Sequence, residues 1–495
     1  MISFRIPATV AVVAGLVLAA GCGHGAASRS GGSAAPATPG DPGPGAAFAP
    51  AGSLLYVRTP GAGAAWQAMT RVRAHVRGLN GFDPEDSMGN LVRLMVGADF
   101  AEGPKQMFRS LTGESSEVVV SRRAVRGEDG SPTTDAFFYS QVSDRDGLAR
   151  WLAPHYTRTG SDGAFSLYRG RGHWVGYSAL SDTAWLWAGS ETTLREAIAT
   201  AAGKDPSIAS DGRFTSAFSG LDARGAALVG YTRGDLAGGL RKLWMRDGQP
   251  SGTQTLTDAL GLADTAFAIG ANSRGVWLRA APHLPANGYR PGPLFSPSLF
   301  DEAPAGSWMY LGVADGGAQL GAFDRLVAPL MGATTPDLHG VDRLLHDFYG
   351  LAPSDLAAIG AGEQAWFVGP TDGAAFRPND ADRAARTLAA VAGRYAGQGF
   401  QSGRNGDVVW LHGHPGSGRG RAPVPSMAAL VDHAGLEGPV SWIGAVNVRG
   451  LFSGWSEDGA NPSSTPQQAV VGAVLTVAPG AAGRYRLQAY LDFGA

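Results

Sequence analysis

Two histidines one residue apart, in His412-Gly413-His414, would stand on the same side of a β-strand, close enough to share a metal ion. No third ligand accompanies them, and the proline and glycines that follow mark a strand end entering a turn, so no metal is expected there. Two carboxylate pairs, Asp144 with Asp146 and Asp380 with Asp382, have the look of an acid and a base. Each pair opens a stretch of helical periodicity, however, and at a helix start carboxylates cap free N–H groups and complement the helix dipole. Asp146 with Arg150 and Asp382 with Arg386 also have the i,i+4 spacing of helix ion pairs. Arg122, Arg123 and Arg126 beside Glu128 and Asp129, and Arg419 with Arg421, read as solvated loops.

The familiar catalytic signatures are missing. A phosphate-cradling loop needs lysine followed by serine or threonine, and Lys105, Lys204 and Lys242 precede Gln106, Asp205 and Leu243. A serine enzyme of the penicillin-recognising kind needs serine three residues before lysine, where Glu102, Ala201 and Gly239 stand. No serine has glycine two residues before and two after it, and no histidine is followed by glutamate. Neither catalytic residues nor a cofactor are expected from these patterns.

The remaining chemistry belongs to Cys22, the one cysteine of 495 residues, which excludes an internal disulfide framework. After a single basic residue, Arg5, an uncharged apolar run from Ile6 to Ala20 ends in Gly21-Cys22-Gly23. A spanning helix wants about 20 apolar residues with anchoring flanks, so this shorter run reads as a cleaved signal peptide. Leu18-Ala19-Ala20-Gly21-Cys22 resembles the bacterial lipobox, in which the cysteine thiol is acylated and becomes the new N-terminus. The resemblance implies a lipid on Cys22, stable attachment to the cell membrane and an extracytoplasmic location. Residues 1–21 are then the signal peptide. Residues 22–48, almost all Gly, Ala, Ser, Pro and Thr, cannot bury a core and read as a flexible tether.

A formal charge of −2 offers no net field for nucleic acid or an anionic surface, and none is expected as a partner. Hydrophobic residues make up 44% and Gly plus Pro about a fifth of the chain, below the level of roughly 25–30% that goes with disorder. The length beyond the tether exceeds what one core usually serves, so two or more folded units are expected.

A tandem repeat organises those units. Ala49-Pro50-Ala51-Gly52-Ser53 recurs as Ala303-Pro304-Ala305-Gly306-Ser307, followed by strands carrying Tyr56 and Tyr310. The alignment continues through a helix that pairs Trp66, Met69, Val72 and Val76 with Leu320, Phe323, Leu326 and Leu330. Gly113-Glu114 then matches Gly362-Glu363, and the Asp144 helix matches the Asp380 helix at a shorter offset, so the second copy has shorter loops. The expected layout is a first α+β module at 49–284, a proline-rich connection at 285–297 and a second module at 298–495. Each module reads as an antiparallel sheet with helices on one face. Strands are expected at Ala136–Val142, Phe165–Arg169, Trp174–Leu180 and Ala184–Ala188, and helices at Asp144–Tyr156 and Glu191–Ala202. Trp185 and Trp187 share one side of their strand while Leu186 takes the other. With helices on one face only, the second apolar face would have to meet the other module, a partner or a ligand.

The opening Pro50-Ala51-Gly52, Gly113-Glu114 before a strand, the Asp144-Arg145-Asp146 helix, and above all Ala184-Trp185-Leu186-Trp187 through Ser207-Ile208-Ala209-Ser210-Asp211-Gly212-Arg213-Phe214 resemble the bacterial domain-of-unknown-function 3352 family. The resemblance implies a secreted or lipid-anchored envelope protein, and no activity or functional residues come with it. The expected function is non-enzymatic binding of a partner or an apolar ligand in the cell envelope. An extracytoplasmic enzyme without a local motif and a structural envelope component are the alternatives.

Overall fold

The computed structural model describes residues 43–59, 112–126, 132–142, 144–170, 174–178, 184–233, 264–283, 290–304, 306–315, 362–369, 373–413, 426–436, 438–448, 470–480 and 483–494, and singly 71 and 359. Cys22, the expected signal segment, residues 23–42 of the expected tether and the helix expected from Trp66 to Val76, apart from Arg71, with its expected counterpart from Leu320 to Leu330 lie outside them.

Short runs rich in Val, Trp, Tyr and Ala form the strands, as β-branched and aromatic side chains favour a pleated, half-buried surface. The first half contains β1 (Leu55–Thr59), β2 (Thr112–Arg126), β3 (Pro132–Val142), β4 (Thr157–Asp162), β5 (Phe165–Arg169), β6 (Trp174–Ser178), β7 (Ala184–Ala188), β8 (Ala226–Thr232), β9 (Thr265–Ala271) and β10 (Gly275–Ala281). Its described helices are α1 (Arg145–His155), α2 (Glu191–Ala201) and α3 (Gly212–Ser219). The second half contains β11 (Met309–Ala314), β12 (Gly362–Val368), β13 (Gly373–Pro378), β14 (Gln401–Asn405), β15 (Val408–His412), β16 (Trp442–Asn447), β17 (Gly472–Pro479) and β18 (Tyr485–Asp492), with α4 (Ala381–Arg394) and α5 (Met427–Ala434). The class is α+β, with strands predominating.

Among the described residues all strands pair antiparallel in one 18-stranded sheet. In the first half the spatial order is β4-β5-β6-β7-β3-β2-β1-β8-β9-β10. In the second it is β14-β15-β13-β12-β11-β16-β17-β18. The halves join where β10 pairs with β18, from Gly275 opposite Asp492 to Ala280 opposite Leu487. The expected contact between sheet faces is thus replaced by an edge-to-edge seam. Two free edges in register gain a ladder of backbone hydrogen bonds without a second apolar face being needed.

Helices cover both faces, which corrects the one-face expectation. Leu148 and Leu152 of α1 pack with Phe138, Trp185 and Trp187. Leu194 and Ile198 of α2, and Phe214 and Phe218 of α3, pack with Phe137, Tyr139, Leu186 and Tyr56 on the opposite side. Residues next to each other on a strand point to opposite faces, so β7 carries two cores at once and all five of its residues are buried. The second half repeats this division. Leu388 and Val391 of α4 meet Phe376 and Leu411, while Leu430 and Val431 of α5 meet Phe367 and Ile443. Trp277 of β10 touches both the α2–α3 core and the α5 core, so these three helices share one side of the sheet and α1 and α4 the other.

Chain entry also differs from the expected tether boundary. Pro44–Ala47 forms a 3-10 turn, Ala46 and Ala49 are fully buried, and Phe48 lies 4.9 Å from Tyr139 between ring centroids. Residues 44–48 are therefore packed rather than free, because the apolar Phe48 and two buried alanines give this stretch a core to join. The C-terminal part of the proline-rich connection is likewise packed: Phe295 bridges to Val440, and Ser441 Oγ donates to the Gly292 carbonyl at 2.6 Å.

Candidate functional site

Of the carboxylates that have the look of an acid and a base, Asp144 and Asp380 are helix caps and Asp146 and Asp382 lie in the first turns behind them. Asp144 accepts from the N–H of Gly147 at 2.8 Å and Asp380 from that of Arg383 at 2.9 Å, each closing the first turn of its helix. Asp382 forms its ion pair with Arg404 of β14, in place of the expected Arg386. His412 ends β15 stacked on Trp410, with ring centroids 4.7 Å apart. It stands opposite Gly373, where an added Cβ would come within 2.6 Å of the imidazole, so the glycine makes room for the ring. Burial lowers the His412 pKa, which keeps the ring neutral. His414 lies outside the described residues, as do Arg419 and Arg421. Among the described residues no three metal-ligating side chains converge.

Polar side chains gather instead at the two ends of the β10–β18 seam, which local sequence patterns did not single out. At one end the turn between β9 and β10 reaches into the second half. Asn272 Oδ1 accepts from the N–H groups of Arg274 and Gly275 at 2.9 and 2.8 Å and from the Tyr490 hydroxyl at 3.2 Å. Its amide nitrogen donates to the His433 carbonyl at 3.4 Å, and the N–H of Phe493 donates to the Arg274 carbonyl at 3.0 Å. Burial pushes the Tyr490 phenol up to about 12, leaving it a neutral donor at any physiological pH. Beside it the ring of His433, in the last turn of α5, meets the buried Asp492 carboxylate at 2.7 Å, and Asp492 also accepts from the N–H of Gly494. A histidine oriented by an acid is two-thirds of a nucleophilic triad. The bonds described here tie α5 to β18, and among them none brings a hydroxyl or thiol to the imidazole.

At the other end the turn between β17 and β18 reaches back into the first half. Arg484 Nη1 donates to the carbonyls of Asp264 and Ala281 at 2.9 and 2.8 Å, and the N–H of Tyr485 donates to the Pro282 carbonyl at 3.0 Å. Asp264 holds a left-handed backbone, φ 49°, which Asp tolerates better than most residues. Its carboxylate accepts from the Tyr231 hydroxyl at 3.0 Å and faces Arg213 of α3 at 3.5 Å. His283 pairs with Arg484 in an isolated bridge, and burial followed by the nearby Arg484 lowers its pKa. Each half thus latches the other through a hairpin turn, with Arg279 and Trp277 between the latches. The Arg279 guanidinium lies 4.3 Å over the Trp277 ring and 3.1 Å from Asp222.

No family profile matches the chain, and no curated protein does. Among solved structures, crystal form I of TP0453 is 10% identical with a TM-score of 0.28, over 48% of this chain and 78% of that one. Crystal form III of TP0453 is 8% identical with a TM-score of 0.27, over 51% and 81%.

Proposed function

We propose that the chain is a lipid-anchored extracytoplasmic protein that binds a protein partner in the cell envelope. One observation carries this reading: the apolar run from Ile6 to Ala20 closes on the lone thiol of Cys22. The composition of residues 23–42, nearly all Gly, Ala, Ser, Pro and Thr, supports it, since such a stretch suits a spacer between lipid and folded body. Among the described hydrogen bonds none brings a nucleophile to His433 and Asp492, so that pair is what the enzyme alternative has to build on. An apolar ligand is less well supported. The second face of β7, which was to need a ligand or partner, is covered by α1. A partner needs no cavity, and a broad continuous sheet with helices on both sides offers it a firm surface.

The tandem duplication belongs to the same proposal. Several details favour it beyond the sequence repeat. Ser53 Oγ donates to the Pro50 carbonyl and Ser307 Oγ to the Pro304 carbonyl, both at 2.7 Å. Tyr56 and Tyr310 are both fully buried in central strands, β1 flanked by β2 and β8, β11 by β12 and β16. In each half an Asp-capped helix follows the third strand, and a three-stranded meander ends the half. The envelope-family resemblance is part of this reading too.

The anchor is tested by replacing Cys22 with Ser and partitioning cell extracts in a phase-separating detergent. Wild type is expected in the detergent phase and Cys22→Ser in the aqueous phase. If both stay aqueous, the anchor and the membrane location fall together. Crosslinking in intact cells with the anchored protein as bait is expected to capture a recurrent envelope protein, and loss of the anchor is expected to abolish that capture.

A further inference from the structure

Arg484 is 3% exposed, and among the described residues only one of its three nitrogens finds an acceptor: Nη1 donates to two carbonyls. Nε and Nη2 are buried and meet no acceptor among the described residues. These two N–H groups point in parallel from one edge of the guanidinium and form the side-on fork that matches a pair of oxyanion oxygens. Buried donors are rarely left without a partner, and a buried cation needs an anion more than most groups do. The nearest carboxylate does not fill that role directly, because Asp264 offers Arg484 its carbonyl and turns its carboxylate to Tyr231 and Arg213. Burial accordingly lowers the Arg484 pKa, with Tyr231 and then Asp264 opposing that shift only in part. His283 pairs with Arg484 in an isolated backbone bridge, near enough for Arg484 to help lower its pKa, and Arg213 adds a second cation beyond Asp264.

We propose that Arg484 is the core of an oxyanion-binding site at this end of the seam, taking a small free carboxylate or phosphate between its Nε–H and Nη2–H groups, with His283 at the entrance. Both fork nitrogens are buried, so a headgroup held in a bilayer or an acidic side chain on a rigid partner surface cannot reach them. A small ion admitted by a shift of the half-buried His283 ring can. Since Nη1 joins the two halves, an ion in the fork neutralises the charge at the seam and tightens it. The site does not depend on the lipid anchor and stands or falls separately from it.

The test uses the full mature chain, titrated calorimetrically and by thermal shift with inorganic phosphate and, separately, with acetate, each against chloride at equal ionic strength. Saturable binding with one ion per chain is expected, together with a midpoint that climbs with the logarithm of ion concentration above saturation. Arg484→Lys keeps the charge and can still reach a carbonyl but lacks the fork, and is expected to weaken binding at least tenfold. Absence of saturable binding by wild type overturns the proposal, as does equal binding by Arg484→Lys, which would mark an adventitious ion at surface arginines. Should Arg484→Lys fail to fold by circular dichroism, wild-type crystals soaked in phosphate decide. Density for an ion bridging Nε and Nη2 supports the site, and water alone there refutes it.

Discussion

At the scale of single residues, two histidines carry a pH dependence whose sign follows from burial. His412 and His283 both have pKa values lowered from 6.5, in each case mainly by desolvation. The unfolded chain therefore takes up protons at a higher pH than the folded one. Their contribution is intact above the unfolded value and is lost as pH falls from there toward the folded pKa. His412→Gln removes one of the two groups. Between about pH 7.5 and 5.5 the urea midpoint of wild type is expected to fall by more than that of the variant. Equal falls would mean that the ring is solvated in the native state. The sequence made His412 legible as the end of a strand, because Val408-Val409-Trp410-Leu411 precedes it and glycine follows. It left Arg484 illegible, since an arginine after Gly480-Ala481-Ala482-Gly483 looks like any exposed hairpin turn until its partners 203 and 220 residues away are known.

At the scale of elements, the local signals served well. β5 and β7 fall on the expected residues, and α1 and α2 lie within one residue of theirs at either end, since Asp144 and Ser190 mark their starts by side-chain capping. What stayed hidden was the side of the sheet each helix takes. A strand such as Ala184-Trp185-Leu186-Trp187-Ala188, apolar on both faces, announces that both are covered and says nothing of what covers them. With α1 now in place, Leu152→Ala is expected to cost about 2–5 kcal/mol, the range for a truncated, fully buried leucine. It should also shift tryptophan emission to the red as water approaches Trp185 and Trp187. A loss under about 0.5 kcal/mol with unchanged emission would show that α1 does not seal this face.

At the scale of the whole molecule, the seam decides whether two halves behave as one body. Its ladder and both latches join strands that no short-range pattern could pair, because the register of β10 against β18 depends on chain segments some 200 residues apart. Gly275 permits the closest approach. A Cβ there would lie 2.1 Å from the Leu491 carbonyl oxygen, so Gly275→Ala must force the strands apart at that end. A protease site inserted between Leu284 and Arg290 separates the covalent connection from the seam itself. After cleavage the halves are expected to elute together in gel filtration at micromolar concentration and to part only in denaturant. Gly275→Ala should make them part more readily. Immediate separation of the cleaved wild type would mean that the connection, rather than the seam, holds the halves together.

The seam also bears on how such a chain would aggregate. Among the described strands, two unjoined sheets would expose four edges, whereas the fused sheet leaves two, β4 and β14. Both are short, glycine-bearing and polar, and β4 is interrupted by a register shift at Arg158 and Gly160. Edges of that kind resist adding a foreign strand. β10 and β18 have no such protection, with Val276, Leu278, Leu487 and Leu491 along them. The permanent edges are thus guarded by composition and the inner pair only by each other. Heat or mutation that opened the seam before melting either half would release the two strands best suited to recruit a neighbouring chain.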